Sequence, residues 1–70
     1  MTRLEKIHFA HPSIDKYTIT WLLDVFENWW KFEYSETVKK EKFLDDATRF
    51  LCTEPLWKLE EMVIHLGGDK

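Results

Sequence analysis

Five of the eleven aromatic residues of this chain fall between Trp21 and Phe32: Trp21, Phe26, Trp29, Trp30 and Phe32. On a helix turning about 100° per residue, they join Leu22, Leu23 and Val25 in an apolar arc of about 200°. A helix that covers one face of a small domain needs about half of that. This segment therefore either runs through the middle of the fold or carries a second apolar face meant for another molecule.

The rest of the chain sharpens that choice. Seventy residues make one domain, and a domain of this size buries only about 60 % of the surface its unfolded chain exposes. The single cysteine, Cys52, cannot form an internal disulfide, and no dense Cys/His pattern suggests structural zinc. The supports left are large aromatic side chains, well-capped helices and self-association. Ten Lys and Arg against thirteen Asp and Glu give a net charge of −3, which works against non-specific binding to nucleic acid or anionic membrane. The uncharged run Tyr17–Leu23 is far too short to span a bilayer. No basic start followed by an apolar stretch suggests a secretory leader. An unpaired cysteine then points to a reducing cytoplasm.

Helix signals divide the chain into an arm and three helices. Thr2-Arg3-Leu4-Glu5 has capping-box spacing, yet Ile7-His8-Phe9 alternates like a strand. Residues 1–12 read as a short helical or irregular arm that lays Leu4, Ile7 and Phe9 on the core. Ser13 follows the His11-Pro12 break and is the expected N-cap of a first helix over about 14–32. Its polar strip is Lys16, Thr20, Asp24, Glu27, Asn28 and Lys31. Ser35 is expected to cap a second helix over about 36–52, with Phe43, Leu44, Ala47, Phe50 and Leu51 as its inner stripe. Pro55 suits the first turn of a third helix over about 55–66, which Gly67-Gly68 ends. Leu56, Leu59, Met62, Val63 and Leu66 line one face of it, with Trp57 and Ile64 on a flank. The expected fold is all-α: a compact three-helix bundle with a short N-terminal arm.

Little in this sequence points to catalysis. His8 and His11 have H-x-x-H spacing, but Pro12 interrupts a helix there, and hydrogen-bonded or solvated histidines are the expectation. Cys52 lies beside an apolar stripe without a local Cys/His signature, which reads as packing. Glu60-Glu61 and Asp45-Asp46 are adjacent on helices, so their carboxylates diverge. Both glycines sit at the end of the last helix, which leaves no phosphate-binding loop. No catalytic residue, cofactor or metal ligand is assigned.

The functional expectation is a non-enzymatic protein-binding module: an inhibitor, adaptor or regulatory subunit of the kind expected among bacteria and their phages. Trp29 and Trp30 point about 100° apart, so both cannot lie deep in one core. The expected contact residues are Trp21, Phe26, Trp29 and Trp30, with Glu27, Lys31 and Asp24 at the rim. The partner is a protein that the residues do not identify. Two alternatives stand beside this reading. One is an obligate homodimer closed by the same face. The other is a nucleic-acid-binding tri-helical domain using Lys39, Lys40, Lys42 and Arg49, which the two carboxylates of the last helix disfavour.

Overall fold

The computed structural model describes residues 1–67. Four α-helices follow one another: α1 (Arg3–Ala10), α2 (Lys16–Trp29), α3 (Lys40–Thr53) and α4 (Leu56–His65). A π-helical turn, Trp30–Tyr34, continues α2. The all-α class is as expected, and the arm is itself a helix, so four helices pack together where three and an arm were expected.

The capping box at the N-terminus forms as its spacing demands. The Thr2 hydroxyl accepts from the Glu5 N–H at 3.1 Å, and the Glu5 carboxylate accepts from the Thr2 N–H at 3.0 Å. That backbone donor holds the Glu5 carboxyl below its ordinary range. Ile7 is fully buried and Leu4 packs against the core. Phe9, expected beside them, is instead 79 % exposed. The reason is periodicity: on a helix, residue i+2 lies about 200° from residue i, so Ile7 and Phe9 face opposite ways.

The start of α2 also falls later than expected. The Ile14 N–H donates to the His11 carbonyl at 3.1 Å, which folds 12–14 into a turn outside the helix. Asp15, not Ser13, is the N-cap, and its carboxylate accepts from the Thr18 N–H at 3.1 Å and the Thr18 hydroxyl at 2.8 Å. The hydroxyl, then the amide, keeps the Asp15 carboxyl below its ordinary range.

At the other end of α2, the Tyr34 carbonyl accepts from the N–H groups of both Thr37 and Val38, at 3.0 and 2.8 Å. This turn consumes residues 35–38, so Ser35 ends the π segment instead of capping α3, which begins at Lys40 rather than near Glu36. Lys39 precedes α3 without a side-chain cap. Pro55 is the extended N-cap residue of α4 rather than part of its first turn. Gly67 takes the left-handed backbone expected of a helix-ending glycine, φ 95°. Gly68 lies outside the described residues.

The core is aliphatic. Ile7, Ile14, Ile19, Leu51 and Leu59 form its centre, with Leu4, Leu23, Phe26, Cys52 and Met62 packed around them. The tryptophans lie outside that centre. Ile19, a poor helix former on propensity, is one of two α2 residues fully removed from solvent, with Leu22. Ion pairs fix the outer edges. Arg3 binds Glu41 and, at 3.1 Å, Asp45, while Lys40 lies 3.1 Å from Glu27. The two Arg3 pairs join α1 to α3, and the Lys40–Glu27 pair joins the start of α3 to the end of α2. The carboxylates, Glu41 first, raise the Arg3 guanidinium above its ordinary value.

Both arm histidines are used within the fold. His8 Nδ1–H donates to the Ile14 carbonyl at 2.9 Å, and His11 Nε2–H to the Leu51 carbonyl at 2.9 Å. The second bond fills a specific gap. In a continuing helix, Leu51 would accept from the N–H four residues on, but that residue is Pro55. His11, itself buried, supplies the missing donor. His11→Leu is therefore expected to lower stability by about 1–3 kcal/mol in urea unfolding, because the Leu51 carbonyl is left dry and unpaired. An unchanged midpoint would mean that solvent reaches that carbonyl.

Candidate partner-binding surface

The end of α2 and the π turn carry most of the aromatic surface, and the structure divides it. Trp29 sits at the middle of an aromatic cluster. Its ring centroid lies 6.1 Å from Phe26, 5.7 Å from Tyr34 and 5.6 Å from Phe43, the last two edge-on. Tyr34 and Phe43 stack at 5.4 Å. These separations fall within the favourable range for aromatic pairs, so the Trp29 indole is held by three rings. It nevertheless remains 48 % exposed.

Phe26 and Trp29 form a ridge with an apolar groove on each side. The larger groove, about 530 Å³, lies between α2 and α4; Val25, Phe26, Trp29, Met62 and Leu66 line it, and Lys58, Glu61 and His65 stand among them. The smaller, about 350 Å³, lies between α2 and α3 and is closed by Phe43, Ala47, Phe50 and Asp46. Phe50, Leu56 and Leu66 were expected on inner stripes; all three are exposed. Phe50 and Leu66 instead wall the two grooves.

The residues expected at the contact do not act as one group. Phe26 and Trp29 are brought together. Trp30 turns the other way, half-buried, and its indole N–H donates to the Val38 carbonyl at 2.6 Å. It clasps the turn between the π segment and α3. Trp21 lies toward the opposite end of α2, in a shallow cleft with Tyr17, Val63 and Gly67. Glu27 is engaged with Lys40. Lys31 is exposed beside Phe32 and Glu33, at a separate cleft along the π turn. The groove residues of α4 escaped sequence reading because Met62 and Leu66 fit an ordinary buried stripe. Only the placement of α4 leaves them lining open space.

Other chemistry-bearing groups are accounted for within the fold. Cys52 is unpaired and half-buried against the core. Among the described residues, no three His, Cys, Asp or Glu side chains cluster as metal ligands would. Two of the four cations in the nucleic-acid alternative face carboxylates, Lys40 with Glu27 at 3.1 Å and Lys42 with Asp46 at 3.7 Å. Among the described residues, no helix is long and apolar enough to cross a membrane. Comparison of the chain with protein-family models, curated proteins and solved structures found no match.

The division between Trp29 and Trp30 is open to a direct check. Trp30→Phe keeps most of the ring but removes the donor to Val38. It is expected to cost about 1 kcal/mol and to speed amide exchange at Thr37 and Val38, while leaving the ridge intact.

Proposed function

We propose that this chain is a small protein-binding module, acting as an inhibitor, adaptor or regulatory subunit through the Phe26–Trp29 ridge. The observation that carries the reading is the groove between α2 and α4. Its exposed walls are mainly apolar, with Lys58, Glu61 and His65 on the α4 side, and its volume of about 530 Å³ is in the range of pockets that receive ligand groups. A ridge of one phenylalanine and one clamped tryptophan, with a cleft on either side, suits a partner helix. That helix straddles the ridge and places apolar side chains in both grooves. The cost of ordering Trp29 is low because Phe26, Tyr34 and Phe43 already hold it, and such rigid half-exposed indoles make effective anchors.

Within this reading, Glu27 and Lys31 are peripheral and Trp30 is a structural element rather than a contact. A reducing cytoplasm suits the unpaired Cys52. The self-association alternative uses the same ridge, so both readings meet in one experiment.

The test is sedimentation equilibrium of the wild-type chain and of Trp29→Ala, followed by affinity measurement against the partner recovered on wild-type bait. A monomer is expected at micromolar concentrations. Trp29→Ala is expected to stay helical by circular dichroism and to weaken partner binding by about 2 kcal/mol or more, the loss typical of a hot spot. Trp21→Ala is expected to have little effect. Equal affinity for wild type and Trp29→Ala would sink the ridge assignment. A wild-type dimer that Trp29→Ala dissociates would replace it with self-association.

A further inference from the structure

The outer face of α4 carries two exposed apolar side chains, Trp57 and Ile64, that line neither side of the Phe26–Trp29 ridge, although Glu61 on its border also reaches the α2–α4 groove. Leu59 is fully buried and marks the inward direction of α4. At about 100° per residue, Trp57 and Ile64 lie about 160° and 140° from it, on the side away from the core. They are 59 % and 60 % exposed. The two are one heptad apart, about 10 Å along the helix axis, and Glu60 and Glu61 fall between them. The carboxylates lie about 100° and 200° from Leu59, so they flank the apolar pair on both sides. Both glutamates are exposed. The ammonium of Lys58 lies over the Trp57 ring, 5.9 Å from the centroid.

An apolar pair at heptad spacing with a carboxylate on each flank specifies its occupant by charge. The geometry points to a docking site for an amphipathic helix of a partner protein. That helix presents apolar side chains to Trp57 and Ile64, and lysine or arginine on both borders to Glu60 and Glu61. A second copy of this chain fits the apolar pair but not the charges. In an antiparallel pairing of two α4 helices, Trp57 meets the other copy's isoleucine and Ile64 its tryptophan. The two-fold axis then passes between residues 60 and 61 and gathers four carboxylates at the centre. A parallel pairing sets each glutamate against its own copy. Each chain also carries a net charge of −3, which adds to the repulsion. A basic helix turns the same carboxylates into attraction. Two side chains bury far less than the roughly 800 Å² per partner of a stable standard interface. Binding at this face therefore depends on its charges and weakens as salt is raised.

The test titrates the isotope-labelled full chain with a helical peptide of leucine and lysine, and with a leucine–glutamate peptide of matched helicity. Affinity comes from anisotropy, and the contact face from amide and indole chemical shifts. The leucine–lysine peptide is expected to bind and to shift residues 56–65 along the outer face, including the Trp57 indole. Trp57→Ala, which keeps every charge, and the double variant Glu60→Gln/Glu61→Gln are each expected to weaken it at least tenfold. Trp29→Ala is expected to leave it unchanged, which separates this face from the ridge. Four outcomes overturn the proposal: equal binding of the leucine–glutamate peptide, full affinity in Trp57→Ala, shifts confined to Phe26, Trp29 and Met62, or self-association of the free chain that Ile64→Ala abolishes.

Discussion

The hydrogen bond from His11 to the Leu51 carbonyl is the constraint on which the arrangement of this small fold depends. Pro55 ends α3 and opens α4, and in doing so removes the backbone donor that Leu51 needs. A carbonyl left unpaired at the edge of the Ile7, Ile14, Ile19, Leu51 and Leu59 cluster would cost about 1–3 kcal/mol. The imidazole reaches it from forty residues away in sequence. The same bond ties the end of α1 to the junction of α3 and α4. His8 repeats the device on a smaller scale by holding the Ile14 carbonyl ahead of α2. The arm is thus part of the bundle, and His8 and His11, despite their H-x-x-H spacing, both hydrogen-bond to backbone carbonyls.

Once aliphatic residues from the arm, α2, α3 and α4 fill the centre, the tryptophans have no place there. They form an outer layer with divided duties. Trp30 closes the turn after the π segment. Trp29 is clamped by neighbouring rings yet keeps an open side, and Trp57 faces away from the core altogether. A π-helical turn shifts the register of the side chains that follow it. Here it carries Tyr34 onto Phe43 while Phe32 is left exposed. The surplus apolar surface of α2 is therefore divided rather than wholly core. Trp30 closes the turn toward α3, Phe26 and Trp29 form the ridge between the grooves, and Trp21 lies in a separate cleft.

Much of this was legible in the residues. The all-α class, the Thr2–Glu5 capping box, the buried Ile7 and Leu59 and the left-handed Gly67 follow from local rules that no distant contact overrides. The boundaries at Asp15 and Lys40 did not, because each is set by a turn held by backbone carbonyls, those of His11 and Tyr34. Local cap preferences favoured Ser13 and Ser35, and short-range backbone turns moved both helix starts. The placement of Phe9 failed on a period of two where a helix formed. At the candidate site, Phe26 and Trp29 were visible as surplus aromatic surface. Met62, Leu66 and Phe50 were not, since a helical stripe shows which residues share a face and not whether a neighbour covers it.

The central claim is that Trp30 is spent on the fold and Trp29 is left for a partner. Solvent exchange of the four indole N–H groups, followed by NMR over a range of protein concentrations, tests it most directly. The account expects a protected Trp30 indole and fast exchange at Trp29 and Trp57, unchanged as the protein is concentrated. A protected Trp29 beside a freely exchanging Trp30, or a Trp29 that becomes protected on concentration, would contradict it.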